Sequence, residues 1–249
     1  MRPPVIILCV MIITAVFFSS GSARALQPID IMAKNPDKYF VRQGSAQCGP
    51  ASFYIVFRYY GDNMNSYPFY YDSKGSPVDL GNKTDKDGII NEDSPVSLWV
   101  KGNDLSTNWN RLVGSIKNLY YKNEHGISER YYNIVESNDS ITSMNEKYAE
   151  IQSNNFLKRI VPGFLNQNRP VIIHLKRKWP FPGHYIVVIG FDPVSGYVSY
   201  MDPSGDGREK FHTVLLKDFL NTSWYKGKST AWWGGAGWSG RWVGFYHTK

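Results

Sequence analysis

Residues 43–61 read QGSAQCGPASFYIVFRYYG and place a cysteine at the start of a helical stretch. Pro50 suits the first turn of a helix, where its missing N–H costs no hydrogen bond, and Gly61 is typical of a helix end. Between them, apolar side chains cover nearly every face, which indicates a helix buried in a core. Cys48 is therefore predicted to lie at the amino end of a buried helix, where unpaired N–H groups and the helix dipole favour a thiolate.

The first 25 residues have the pattern of a secretory signal peptide. Arg2 gives a positive start, residues 5–18 form an uncharged apolar run, and Ala23-Arg24-Ala25 fits a small-x-small cleavage site. We expect cleavage after Ala25 and export of residues 26–249, either to the periplasm or as a secreted protein. The alternative is a retained anchor, which is less favoured because the run is shorter than the roughly 20 residues that span a bilayer.

Cleavage at this point would leave one cysteine in the chain. Cys9 lies inside the apolar run and would be removed, so Cys48 would have no disulfide partner within the chain. A lone thiol in an exported protein is open to oxidation, which favours a reactive or catalytic role. The alternative is a buried thiol that packs as a small apolar group.

The composition is that of a globular protein, with 42% hydrophobic and 20% charged residues. Loss of Arg2 and Arg24 with the signal peptide lowers the formal net charge from +7 to +5. This basic charge favours association with a cell wall or membrane surface, while the dispersal of the basic residues argues against nucleic acid as a partner. Neither metal-ligand spacing nor a phosphate-binding glycine loop is present, so we expect no metal and no cofactor.

The order of elements predicts an α+β fold in which helices precede an antiparallel sheet. Helical spacing recurs at residues 108–121 and again at 155–166, where Pro162 is expected to interrupt it, whereas residues 62–93 read as loops. Strand-like runs follow at 170–175 (PVIIHL), 185–191 (YIVVIGF), 197–201 (YVSYM), 211–216 and 242–246 (WVGFY). We predict a signal peptide at 1–25 and one domain at 26–249.

Among the five histidines, His184 is the best placed to act as a base for Cys48. It follows a Pro-Gly turn and opens the apolar strand 185–191, which would hold its imidazole rigidly at the end of a sheet. His174 lies inside an apolar run and is expected to be a core or edge histidine. The remaining histidines lie in polar or terminal contexts without such support: His125, His212 and His247.

Asp202 is the candidate acid that orients His184. It ends the next predicted strand, and antiparallel neighbours bring the end of one strand beside the start of the other. Asp192 competes, but it lies at the far end of the histidine's own strand, about 26 Å away at about 3.3 Å per residue. For the oxyanion, the N–H groups at the helix start need a side-chain amide nearby, and Gln43 is the first candidate with Gln47 as the second.

Three segments together resemble the double-glycine leader peptidases, which process bacteriocins, and their stand-alone relatives in the papain-like clan of cysteine peptidases. They are QGSAQCGPASFYIVFRYYG at 43–61, RPVIIHLKRKWPFPGHYIVVIGFD at 169–192 and GYVSYMDPSGDG at 196–207. The resemblance implies a papain-like fold with Cys48 as nucleophile, His184 as general base, Asp202 as orienting residue and Gln43 as oxyanion-hole amide.

The chain departs from that family in two ways. Its members usually keep the glutamine six residues before the cysteine, whereas Gln43 is five residues before Cys48. The 136 residues from Cys48 to His184 exceed the separation in compact leader peptidases, so residues 62–154 are expected to contain an insertion.

Five of the eight tryptophans lie near the carboxyl end of the chain: Trp224, Trp232, Trp233, Trp238 and Trp242. Glycines alternate with them in AWWGGAGWSG at 231–240. We expect most of these rings to fold onto the sheet, and Trp232 and Trp233 to line a substrate cleft.

These features predict an exported cysteine peptidase that acts on a peptide or protein substrate through an acyl-enzyme. One alternative keeps the site but makes the protein an amidase or acyl-transferase acting on cell-wall peptides or thiols, which the basic charge and the tryptophans favour. A second alternative is a non-catalytic module that binds peptides or glycans on the same scaffold, which the displaced glutamine favours.

Overall fold

The computed structural model describes residues 27–62, 70–78, 80, 89–102, 104, 106–122, 125–137, 152–177, 183–204, 210–221 and 236–248. The predicted signal peptide and the two predicted cleft residues Trp232 and Trp233 lie outside these ranges. Within them, no helix combines the length and the apolar character needed to cross a membrane.

Most helical residues precede the main strands, as predicted for an α+β fold. The helices are α1 (Pro28–Met32), α2 (Pro36–Tyr39), α3 (Cys48–Tyr59), α4 (Pro95–Val100), α5 (Trp109–Lys117), α6 (Val161–Gly163) and α7 (Leu216–Phe219). A π-helical segment, Phe156–Ile160, runs directly into α6, which ends at Gly163, directly after Pro162, where the sequence predicts a break.

The strands form one six-stranded antiparallel sheet and two small pairs. They are β1 (Arg42–Gln43), β2 (Ile89–Ile90), β3 (Tyr120–Lys122), β4 (Ser128–Arg130), β5 (Tyr132–Ser137), β6 (Val171–Arg177), β7 (His184–Asp192), β8 (Tyr197–Met201), β9 (His212–Leu215) and β10 (Ala236–His247). The main sheet has the order β5-β10-β6-β7-β8-β9, while β1 pairs with β2 in parallel and β3 with β4 antiparallel.

Strand β7 is buried on both faces, because two hydrophobic cores lie on opposite sides of the sheet. Tyr185, Val187 and Ile189 belong to the core that contains α3, whereas Ile186 and Val188 belong to the core beneath the π-helical segment. A strand covered on both sides reads as a continuous apolar run, which is the pattern of residues 185–191.

Helix α3 is the buried helix that residues 43–61 predict. Every residue from Cys48 to Phe57 is buried. Gly61 has φ +78°, a left-handed conformation that glycine adopts without strain and that ends the helix.

Two elements differ from their predicted form. Strand β10 begins at Ala236 and not at Trp242, so Trp238 lies in a strand and not in a glycine-rich loop; both tryptophans are fully buried. The glycines and a bulge between Trp238 and Trp242 hide the alternation of period two. Within residues 62–154, strand β5 pairs with β10, so this segment contributes an edge of the main sheet.

Candidate active site

Cys48 is the first residue of α3 and is 8% exposed. The turn before it is held tightly: the N–H of Gly44 donates to the carbonyl of Ile90 at 2.8 Å, and a Cβ on Gly44 would lie only 2.8 Å from that oxygen. Ala46 has φ +57°, an uncommon conformation for a residue with a side chain. This compact turn fixes the direction from which the chain enters the helix, and with it the position of the sulfur.

His184 and Asp202 meet because β7 and β8 pair antiparallel, with Val187 opposite Met201. Nε2 of His184 lies 2.8 Å from Oδ1 of Asp202, and the two residues are 1% and 5% exposed. The same carboxylate oxygen accepts hydrogen bonds from the N–H and the hydroxyl of Ser204 at 2.9 and 2.8 Å. These bonds fix the carboxylate, and the carboxylate fixes the tautomer and orientation of the ring.

Cys48 lies within hydrogen-bonding reach of His184, since a hydrogen bond to its side chain is among the causes that raise the pKa of the ring. Because Nε2 faces Asp202, Nδ1 is the ring nitrogen left for the sulfur. Burial lowers the pKa of His184, but the charge of Asp202, the hydrogen bond to it and the interaction with Cys48 raise the pKa to about 9. At neutral pH the ring is therefore held as an imidazolium, which favours a thiolate beside it.

The two glutamines that the sequence offered for the oxyanion hole have different surroundings. The N–H of Gln43 donates to the carbonyl of Pro203 at 2.9 Å, which ties β1 to the turn that follows Asp202, and its side chain is partly exposed. Gln47 is fully buried and donates its side-chain amide to the carbonyl of Ser45 at 3.1 Å. The side-chain amide of Gln47 is thus bonded within the turn, so Gln43 is the better candidate for the oxyanion-hole amide.

Residues of the predicted insertion also border the site, which sequence reasoning missed. A Cβ on Gly49 would lie 2.6 Å from the side chain of Thr107, so the two are in tight contact directly beside Cys48. The carbonyl of Thr107 accepts a hydrogen bond from the hydroxyl of Tyr185 at 3.2 Å, and Trp109 stacks on Tyr185. In the sequence, only the helical spacing after Asn108 indicated an ordered element near Thr107.

The remaining predicted residues lie elsewhere. Asp192 accepts hydrogen bonds from Val194 and Ser195 within a surface turn. His125 is exposed, and His212 stacks on Tyr200. His174 is a bonded sheet histidine as expected, with Nδ1 2.9 Å from the hydroxyl of Ser239.

His247 has more support than the sequence suggested. It is the last residue of β10, and its Nε2 lies 2.9 Å from the carboxylate of Asp62, which also accepts the hydroxyls of Tyr131 and Tyr132. Asp62 follows the carboxyl end of α3, so this cluster lies at the opposite end of the helix from Cys48. Across the described ranges, no group of three or more potential ligands is arranged to hold a metal ion.

A thiol at the start of a buried helix, bonded to a strand histidine that a carboxylate orients, defines the class of papain-like cysteine peptidases. The model of the Peptidase_C39 like family matches residues 29–231, and the chain belongs to that family. The papain-like fold and the cysteine peptidase class predicted from the sequence are therefore confirmed. A search of curated proteins gives no match.

Proposed function

We propose that the chain is an exported cysteine peptidase that hydrolyses peptide bonds through Cys48, His184 and Asp202. The observation that carries the proposal is the position of the His184 ring, which bonds Cys48 on one side and Asp202 at 2.8 Å on the other. Membership of the peptidase family supports the same reaction class.

The geometry supports a two-step reaction. The thiolate of Cys48 attacks the peptide carbonyl, and the N–H groups at the start of α3 together with the amide of Gln43 stabilise the oxyanion. His184 donates its proton to the leaving amine, which breaks the C–N bond and leaves a thioester on Cys48. The neutral ring then takes a proton from water, the hydroxide attacks the thioester, and the thiolate and the imidazolium are restored.

Alkylation of the thiol tests the site before any substrate is known. We expect iodoacetamide to modify Cys48 at pH 6 at a rate roughly 10 to 100 times that of free cysteine, because a paired thiolate persists where a free thiol is protonated. His184→Ala should reduce that rate to the level of free cysteine. A wild-type rate equal to that of free cysteine contradicts the proposal.

Acyl transfer or amidase action on cell-wall peptides or thiols would use the same thioester with a different acceptor or substrate. The formal net charge of +5 that remains after removal of residues 1–25 favours an anionic surface as the place of action. Product analysis with purified peptidoglycan and with peptides separates the reactions, since a transferase releases a new amide or thioester whereas a hydrolase releases a carboxylic acid. Trp238 and Trp242 are fully buried and offer no stacking surface for a glycan, whereas Trp232 and Trp233 lie outside the described residues.

Export depends on cleavage after Ala25. Gln27 is 2% exposed, and its side-chain amide bonds both the N–H and the carbonyl of Phe191 on β7, at 2.7 and 2.9 Å. Cleavage after Ala25 leaves Gln27 in the chain and keeps this contact, which supports the proposed cleavage site. Amino-terminal sequencing of the protein recovered outside the cytoplasm should begin at Leu26, and recovery of the intact chain with the cells would contradict export.

A further inference from the structure

Strand β10 carries a bulge directly opposite His174. Trp238 pairs with Leu175 and Trp242 pairs with Ile173, so residues 239–241 together face a single residue of β6. Gly240 has φ +90°, which lets the backbone turn within the bulge. Bulges of this kind re-aim side chains and are frequent beside active sites.

The bulge belongs to the sheet face on which α3 packs. Trp238 and Trp242 lie in the core on the other face. His174 pairs with Tyr185, whose ring is in the α3 core and whose centroid is 5.0 Å from that of His174. The hydroxyl of Ser239 is 2.9 Å from Nδ1 of His174 and also accepts the N–H of Arg241 at 3.3 Å.

The side chains of His174, Tyr185 and Ser239 lie next to the pair formed by Cys48 and His184, which is called the dyad below. Gly183 directly precedes His184, and a Cβ on it would lie 1.9 Å from Nε2 of His174. Burial raises the pKa of the Tyr185 hydroxyl, and the charge of the Cys48 sulfur raises it further. Tyr185 therefore lies near Cys48. The charge of Arg241 acts on both Tyr185 and His174.

Arg241 is a cation without an acidic partner among the residues that the structure describes, and its Nε is buried without a hydrogen bond. The Nε therefore lacks a hydrogen bond that an anion can supply, and the planar fork of a guanidinium matches a carboxylate. His174 does not compete for that anion. Burial, together with the charges of Arg241, His184 and Lys176, lowers the pKa of His174 to about 3, so its ring is neutral at neutral pH.

We propose that Arg241, held on the bulge by Ser239 and His174, binds a carboxylate of the substrate beside Cys48 and His184. The inference rests on the proposed function for the reaction that this substrate undergoes. A carboxyl terminus and an acidic side chain present the same group, and both fit a bidentate contact with the guanidinium.

Two alkylating reagents of nearly equal size test the subsite without a known substrate. Iodoacetate carries a carboxylate and iodoacetamide a neutral amide; in both, the thiolate of Cys48 forms the C–S bond while iodide leaves. We expect Arg241→Gln to lower the ratio of the iodoacetate rate to the iodoacetamide rate about tenfold. Arg241→Lys should restore part of the ratio, since the charge returns without the fork.

Lys176→Gln is the matched control, because Lys176 is an exposed cation on β6 two residues from His174. It should leave the ratio unchanged. An unchanged ratio in Arg241→Gln overturns the subsite, and so does an equal fall in Lys176→Gln, which would show a general field. If both reagents modify Cys48 only as fast as free cysteine, the proposed function fails, while the ratio still reports on Arg241.

Matched peptides then separate the two sources of the carboxylate. One series ends in a free carboxylate, the second in an amide, and the third in an amide with aspartate or glutamate placed along the peptide. We expect Arg241→Gln to raise KM by about tenfold for one carboxylate series relative to the neutral amide series. The series affected identifies the source, and equal KM changes across all three series contradict a carboxylate subsite.

Discussion

The hydroxyl of Tyr185 donates to the carbonyl of Thr107 at 3.2 Å, and this bond joins the strand that bears His184 to the segment that packs on Gly49. Because Tyr185 follows His184 and Gly49 follows Cys48, Thr107 contacts a neighbour of each member of the dyad. Residues 62–154 therefore help the main sheet to hold the sulfur of Cys48 and the imidazole of His184 in their relative positions.

Gly49→Ala should weaken catalysis by disturbing this contact. The new Cβ would lie 2.6 Å from the side chain of Thr107, closer than real Cβ contacts allow, so the start of α3 or the segment at Thr107 must shift. We expect kcat to fall by about 10²-fold, since displacements of about 1 Å at a catalytic site have effects of that size. Thr107→Gly in the same chain removes all three atoms nearest to the new Cβ and should recover part of kcat.

Gly114→Ala is the control for this substitution. Gly114 lies within α5, and an added Cβ would meet nothing within 4 Å. This change should leave kcat unaltered and raise stability by up to about 1 kcal/mol, as alanine does in a helix interior. The proposed contact is wrong if Gly49→Ala retains full activity, or if Thr107→Gly recovers none of the loss.

The pH profile of kcat/KM should fall on its alkaline side near pH 9. His184 has a pKa raised to about 9, so its imidazolium is present below that pH and is lost above it. Asp202→Asn removes the charge that most opposes the effect of burial on this pKa. The alkaline limb should then move to lower pH, and kcat should fall by roughly 10²- to 10⁴-fold because the ring also loses its orientation. A limb that stays near pH 9 in Asp202→Asn assigns it to another group.

Folding stability should depend on pH in the same direction. A pKa raised from 6.5 in the unfolded chain to about 9 in the folded one gives stability that is complete below pH 6.5 and lost between pH 6.5 and 9. Urea denaturation of Cys48→Ala and of Cys48→Ala with His184→Gln measures the difference, because removal of the thiol leaves the ring as the group that titrates at the site. The excess stability of the chain that keeps His184 should shrink across that interval, and a constant or growing excess contradicts the assignment.

Local chemistry in the sequence was enough to select Cys48, His184 and Asp202 as candidate site residues. The helix start at Cys48 is encoded within a few residues, and a short antiparallel connection limits where Asp202 can lie. Thr107 and Arg241 could not be predicted this way. Thr107 reaches the site through a long connection, and Arg241 through a bulge whose register depends on the pairing of β10 with β6.

Gln43→Ala and Gln47→Ala should have different effects. Gln43 is partly exposed and held beside the turn after Asp202, so its loss should lower kcat by roughly 10²- to 10³-fold with little change in Tm. Gln47 is fully buried and bonds Ser45, so its loss should mainly lower Tm. Steady-state kinetics and thermal denaturation of both variants measure the two effects. The reverse pattern would make Gln47 the oxyanion donor.

Asp62→Asn should destabilise the fold while activity persists. The Asp62 side chain is 5% exposed and accepts from Tyr131, Tyr132 and His247, all of which lose a charged acceptor. Hydrogen bonds to charged groups contribute about 1.5–3 kcal/mol each, so a loss of roughly 2–5 kcal/mol is expected. The 12 residues of α3, about 18 Å at 1.5 Å per residue, separate this cluster from Cys48.

Asp192→Asn is the matched control for this loss, because Asp192 accepts hydrogen bonds from Val194 and Ser195 within an exposed surface turn. Its cost should stay below about 1 kcal/mol, since the groups it bonds remain open to water. Urea denaturation gives the free energy of unfolding, and the rate of Cys48 alkylation under native conditions reports the site. Equal destabilisation by the two variants would show that the Asp62 cluster adds nothing beyond a surface contact, and slowed alkylation in Asp62→Asn would show that the far end of α3 controls the dyad.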